Sequence, residues 1–194
     1  MYLNRIIIFF IIYISFTFSV DTVGININQT DIELSSSVEI NKPNFKKKQH
    51  RRYYTKYLVD TYYIHTNGNN LLSIGISGNN NFYTSDIVSF GFGMKSIFAE
   101  NTLALPFYGK AMISVPHSKG SMLPTVSIIG MLAYAPSILS MIDSKEYIEV
   151  RGEADVEIIP KIHLFTGYRK IDIRYKTFDR VFNDSVYAGM KFNF

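Results

Sequence analysis

Five ionisable residues alternate along one stretch of this chain. Glu149, Arg151, Glu153, Asp155 and Glu157 are separated by Val150, Gly152, Ala154 and Val156. In an extended strand successive side chains take opposite faces, and same-face neighbours lie about 7 Å apart. Four carboxylates around one guanidinium leave a local acidic surplus. Such a row is suited to holding Ca²⁺ or another cation, or to biasing a pore towards cations. It equally suits half of an internal ion-pair network, with Lys95, Lys110, Arg169 and Lys191 as counter-charges on neighbouring strands. The interior of a small barrel is just wide enough to be filled by side chains, and unpaired buried charge is costly. The network is the favoured reading. It predicts that Glu153→Ala weakens the fold without abolishing any transport.

Other candidate chemistry is weaker. His50, His65, His117 and His163 are scattered, with no H-E-x-x-H or comparable metal spacing. His163 reads as an interfacial polar residue. Ser and Asp are abundant, but no motif groups them with a histidine, so a hydrolase or acyltransferase is disfavoured. Gly91 and Gly93 begin no phosphate-binding motif; inside a strand they make room for bulky neighbours. The run Lys46-Lys47-Lys48-Gln49-His50-Arg51-Arg52, followed by Tyr53-Tyr54, mixes cations with aromatics as nucleic-acid binders do. In an exported chain it reads instead as a solvated loop with two girdle tyrosines. Attraction to anionic head groups is a further reading. On a ten-strand count this loop falls on the periplasmic side.

The elements that must carry these residues are strands. Period-two alternation runs almost throughout, broken by turn residues. Ile25 and Ile27 begin it, and Ile32, Leu34, Val38 and Ile40 follow. Tyr54 to His65 ends at Asn67-Gly68-Asn69-Asn70, a strong hairpin signal. Leu72, Ile74 and Ile76 come next. Val88, Phe90, Phe92, Met94 and Phe98 then share a face opposite Ser89, Gly91, Gly93 and Lys95. Leu103 to Val115, Thr125 to Ala135, Tyr147 to Ile158 and Ile162 to Tyr175 complete the middle. A polar loop through Asp179, Arg180, Asn183 and Asp184 is expected before the last strand. There Val186, Ala188, Met190, Phe192 and Phe194 point one way, with Tyr187, Gly189, Lys191 and Asn193 opposite. Large apolar residues on one face and small or charged ones on the other fit a lipid face and a narrow interior. Leu123 to Ile142 carries no charge and has the length of a transmembrane helix, about 20 residues. Gly130 and Pro136 oppose that helix, costing about 1 and 3 kcal/mol. A strand to Ala135 and one apolar helical turn, Ser137 to Ile142, on the rim is preferred.

Composition agrees. The chain of 194 residues has 14 Tyr and 15 Phe with no Trp, an aromatic load of the kind barrel girdles use. No cysteine is present, which excludes disulfide staples and thiol catalysis. Arg5 and the apolar run Ile6 to Phe18 resemble a secretory leader, with Thr17 and Ser19 suited to the positions before a cut. That run is too short to span a membrane as a helix. Removing residues 1–19 takes away Arg5 and lowers the net charge from +4 to +3, too little to argue for nucleic acid.

Several segments together resemble the YfaZ-type family of small Gram-negative outer-membrane proteins, over about Tyr57 to Phe194. They are Tyr134-Ala135-Pro136-Ser137-x-Leu139-Ser140, Tyr147-x-Glu149-x-Arg151-x-Glu153-Ala154, Gly167-Tyr168-Arg169-x-Ile171-Asp172, and the ending Phe182-Asn183-Asp184-Ser185-x-Tyr187-x-Gly189-x-Lys191-Phe192-x-Phe194. Asn41 to Arg52 depart from the family's pattern. The resemblance implies a monomeric β-barrel without an assigned activity, and barrel-assembly machinery as a partner that reads the terminal aromatics Phe192 and Phe194.

The expectation is therefore an all-β protein, a closed antiparallel up-and-down transmembrane β-barrel with ten strands preferred and eight as the alternative. Residues 1–19 form a cleaved signal peptide and 20–194 a single barrel domain in the outer membrane of a Gram-negative bacterium. The barrel is expected to be a monomer in contact with outer-membrane lipid, without enzymatic activity, cofactor, metal or nucleic-acid partner, and with an envelope-structural or adhesive role. The alternatives are a narrow cation-leaning pore and a periplasmic soluble β-sandwich or lipocalin-like binder.

Overall fold

A computed structural model of the chain describes residues 20–41, 55–81, 87–115 and 124–194. The leader, most of the basic loop with Lys46–Arg52 and His50, and His117 lie outside these residues. Among the described residues twelve strands follow one another: β1 (Thr22–Ile27), β2 (Asp31–Glu39), β3 (Lys56–Thr66), β4 (Asn69–Asn81), β5 (Val88–Ala99), β6 (Thr102–Ala104), β7 (Phe107–Val115), β8 (Val126–Ala135), β9 (Ser140–Ile142), β10 (Ser144–Ile159), β11 (Ile162–Tyr175) and β12 (Asp179–Asn193). Each of β1 to β5 pairs antiparallel with the next; β5 continues to β7, β8, β10, β11 and β12, and β12 pairs with β1 to close the sheet. The wall has ten staves. β6 and β9 continue two of them beyond breaks at Leu105-Pro106 and Pro136–Leu139. Both breaks stay sewn into the wall, through Lys95 N–H to the Pro106 carbonyl (3.1 Å) and Leu105 N–H to the Leu139 carbonyl (2.9 Å). A proline cannot donate to the ladder, which is why each broken stave resumes as a separate strand.

The closed barrel excludes the two-layer sandwich, since every long strand has a neighbour on both sides. Its tilt follows from the register. Stepping sideways from Val88 through Ile113, Ile128, Ala154, Thr166, Ala188, Ile27, Ile32 and His65 leads to Asn70. Asn70 adjoins Leu71, which faces Ala99, so the path returns to β5 level with residue 100, twelve residues along. Ten staves with that stagger lean about 40° from the axis. The interior is narrow enough that several inward positions admit only glycine. A Cβ on Gly167 would lie 2.8 Å from the Tyr187 ring, and one on Gly189 2.6 Å from Phe165 and 2.3 Å from the Ile25 carbonyl.

Two departures from the sequence reading are informative. The last strand begins at Asp179 rather than after a polar loop, with a bulge opposite Ile171/Asp172. Its polar residues are in strand because Asn183 turns into the interior and Asp184 faces out. The turn after Pro136 is a 3-10 turn only over Ser137–Leu139, followed by β9. The hairpin at Asn67-Gly68 is as expected, with both residues at positive φ (45° and 78°), the geometry of a type I′ turn.

The outer surface carries an apolar band. Ile25, Ile76, Phe92, Ile128, Leu132 and Val186 are all exposed, from 40% to 72%. Such contiguous surface is rarely left in water and is the lipid face of a transmembrane barrel. The band ends within the length of β11. Below Arg169 the strand turns Leu164, Thr166 and Tyr168 outwards and His163, Phe165 and Gly167 inwards. Above it the pattern inverts, with Lys170, Asp172 and Arg174 outside and Ile171, Ile173 and Tyr175 buried inside. Ile64, Leu71, Ile97, Ala135, Tyr147 and Phe182 complete this upper apolar cluster. At β11 the wall there has a polar outside and an apolar core, as a water-exposed structure does. By contrast, Phe98, Met141 and Ile142 on β5 and β9 keep apolar side chains exposed at the same end. The upper rim bears the turns 67–68, 100–101 and 176–178, and at the end of β11 and in the turn that follows, it stands above the hydrocarbon.

Candidate functional site

Below the apolar cluster the interior holds one continuous chain of charges drawn from four strands. Glu149 of β10 is fully buried and sits among four donors. They are Lys95 Nζ (2.5 Å), Tyr62 Oη (2.8 Å), Tyr147 Oη (2.6 Å) and Arg151 Nε (2.5 Å). Arg151 Nη1 donates to both oxygens of Glu33 on β2, at 2.8 and 3.0 Å. Glu33 also accepts from the fully buried Arg169 of β11, whose Nη2 reaches Asp31 at 3.3 Å and whose Nε donates to Asn183 at 2.8 Å. Asn183 in turn donates to Asp31 at 2.6 Å. Lys95, Arg151 and Arg169 thus face Glu149, Glu33 and Asp31, three cations against three anions. Aromatic rings line the same layer: Arg151 lies 4.4 Å from the Tyr62 ring and Arg169 5.3 Å from that of Tyr187. A neutral, hydrogen-bonded arrangement is the condition on which buried charge is tolerable.

A second group lies nearer the lower rim, where β12 ends. Lys191 pairs with Glu153 and, at 3.4 Å, with Asp155. Asp155 also bonds His163 Nδ1 at 2.7 Å, and His163 Nε2 meets Asn193 Nδ2 at 3.0 Å. The ring of Phe165 lies 4.3 Å from Lys191 Nζ. Across the interior, Asp60 accepts from Ser77 and Tyr108, each at 3.2 Å. Lys110 shares the inward face of Tyr108 on β7 but makes no ion pair among the described residues. Glu157 belongs to the turn instead, accepting the Lys161 N–H at 3.3 Å. The structure therefore brings Lys95, Glu149, Arg151 and Arg169 into one group and Glu153, Asp155 and Lys191 into another, leaving Lys110 and Glu157 apart.

Sequence reasoning overlooked Asp31, Glu33, Tyr62 and Asn183. A signal for two of them was present: Asp31 and Glu33 alternate with Ile32 and Leu34, as the row on β10 alternates with valine and glycine. Phe192 and Phe194 lie on the outward stripe at the lower rim. Phe192 is opposite Val23 and Ile162, and the N–H of Phe194 donates to the Asp21 carbonyl.

The chemistry open to this layer is limited by its pairing, in which Arg151 Nη2 is the one guanidinium or carboxylate atom of the six-charge chain that is buried without a hydrogen-bond partner. Its carboxylates are spent on cations, and no group of three His, Asp or Glu among the described residues is arranged to hold a metal. The two described histidines contact a carboxylate or amides, His163 as above and His65 through Asn70 at 2.8 Å; neither is paired with a hydroxyl nucleophile. Glu153→Ala is expected to lower barrel stability by about 1–2 kcal/mol, since Lys191 keeps Asp155. A urea-unfolding midpoint in detergent that is unchanged by the substitution would contradict this.

The model of the YfaZ precursor family matches residues 112–194, from within β7 to the end of β12, so the resemblance read in the motifs holds over this part. Among solved structures the chain is similar to the KdgM porin, at 8% identity and a TM-score of 0.42, with 90% of this chain and 99% of that one covered. It is also similar to a chain solved in work on the in-meso crystallization of membrane proteins, at 8% identity and a TM-score of 0.41, with 90% and 83% covered. No curated protein matches it.

Proposed function

We propose that this is a small outer-membrane barrel of a Gram-negative bacterium, exported with residues 1–19 removed, that acts as a closed wall element rather than as a channel or an enzyme. Its role is envelope-structural or adhesive, carried by its outer surface and rims. The observation that supports this is the filling of the interior. The six-charge chain from Lys95 to Asp31 crosses it, and the apolar cluster of Ile64, Leu71, Ile97, Ile171 and Ile173 lies directly above. An ion would have to break buried pairs and then enter an apolar plug, two successive barriers to conduction. Tyr175 closes the upper mouth further. Its Oη meets Thr102 Oγ1 at 3.1 Å and the Glu100 carbonyl at 3.2 Å, and its ring stacks on Phe178 at 4.7 Å.

Planar-bilayer recording tests this reading. The refolded protein is expected to give no stable conductance steps. Steady cation-selective openings would instead favour the narrow pore, for which the surplus of Glu153, Asp155 and Asp60 over Lys191 and Lys110 in the lower interior is the supporting feature.

A further inference from the structure

The upper rim holds a groove that the closed-barrel reading does not use. It lies between the start of β10, the end of β11 and the turn that follows. Its volume is about 490 Å³, within the range of small-molecule sites. Lys145, Glu146, Arg174, Lys176, Phe178 and Asp179 line it, three cations against two anions. Lys145 is the extra residue of a bulge, since Ser144 faces Tyr175 and Glu146 faces Arg174. Bulges re-aim a side chain, and here the exposed Lys145 lines the same groove as the exposed Arg174. Arg174 Nη1 donates to Glu146 at 2.6 Å, with the arginine side chain 53% exposed, a contact weak enough in water to be exchanged for another anion. Lys176 is held by its Nζ on the Ile142 carbonyl at 2.8 Å. Phe178 presents an exposed ring at the groove's edge.

The position of the groove identifies the ligand. Arg174 and Glu146 stand on the outward face, on the strands that carry Tyr168, Val150 and Ile148. They lie just above the level where the outer surface turns from apolar to charged. That is the head-group plane of a bilayer, where cations are drawn to an anionic surface. We infer that this groove is a binding site for the phosphate of a membrane lipid's head group, with Lys145 and Arg174 as the phosphate donors and Phe178 against the sugar portion. Glu146 gives up Arg174 when the phosphate arrives. The site rests on the transmembrane reading of the barrel, but it is independent of whether the interior conducts.

The test uses the full mature chain in nanodiscs of neutral phosphatidylcholine, titrated with a phosphorylated disaccharide lipid, with phosphatidylglycerol, and with inorganic phosphate, and read by native mass spectrometry. Saturable retention of one phosphorylated lipid per barrel is expected, weakened at least tenfold in Lys145→Gln/Arg174→Gln. A Lys56→Gln control at the opposite rim should bind as the parent does. Heat-modifiable gel migration shows that each variant is folded before it is compared. Equal retention by parent and double variant, or none by either, overturns the site. Inorganic phosphate binding as tightly as either lipid overturns the lipid assignment. A barrel that conducts yet retains the lipid would sink the closed-wall reading alone.

Discussion

Glu149→Ala is expected to destabilise the folded barrel by about 3–5 kcal/mol, the cost of removing one partner from a buried ion pair. The residue is fully buried, and its loss leaves Lys95 and Arg151 facing each other's charge in a space closed to water from above. Urea titration in detergent micelles should show the midpoint falling without a change in slope. The network makes a sharper demand on the double replacement Lys95→Met/Glu149→Leu. That pair removes one cation and one anion and leaves Arg151, Arg169, Glu33 and Asp31 balanced, two against two. Most of the lost stability should return, as it does when buried pairs are replaced by apolar residues of similar volume. A double variant as unstable as Glu149→Ala would mean that Glu149 matters for some reason other than charge balance.

The second large effect lies on the other face of the wall. Ile76 is 58% exposed and is flanked by Val59 and Met94, both on the outer surface. Ile76→Arg should cost about 2–4 kcal/mol in lipid, the penalty for a cation near the bilayer midplane of a barrel. Ile138→Arg, at a position 83% exposed on the 3-10 turn towards the upper rim, should cost far less, about 0–1 kcal/mol, the penalty near the interface. The contrast separates lipid from water as the outer solvent. Were the band exposed to water, both arginines would be equally harmless.

How much of this was legible in the chain depends on whether a feature is local. The alternation from Tyr147 to Ile158 fixes a strand and its faces by itself, and the ten runs of the sequence correspond to the ten staves. The rim turn at Asn67-Gly68 is likewise local chemistry. Partner choice is not local. The row on β10 announces carboxylates in need of cations, but only closure of the barrel shows that Arg151 reaches across to Glu33, 118 positions away. Nor does alternation alone say which face is inside. On β11 the inward residues pass from His163, Phe165 and Gly167 below Arg169 to Ile171, Ile173 and Tyr175 above it, while the outward residues change from Leu164, Thr166 and Tyr168 to Lys170, Asp172 and Arg174. The pattern is unbroken where the solvent outside changes from hydrocarbon to water. The breaks at Pro106 and Pro136 were visible as prolines, yet their repair by continued pairing through β6 and β9 depends on strands brought alongside by the closed wall.

The most direct test of the orientation on which all of this rests is a nitroxide scan along β8, which a chain without cysteine permits with single labelled sites. In lipid vesicles, labels at Ile128 and Leu132 should collide readily with dissolved oxygen and hardly at all with a water-soluble nickel complex. Labels at Ile129 and Met131 should be poorly accessible to both. Strong nickel collisions at Ile128 and Leu132 would place that face in water and contradict the account.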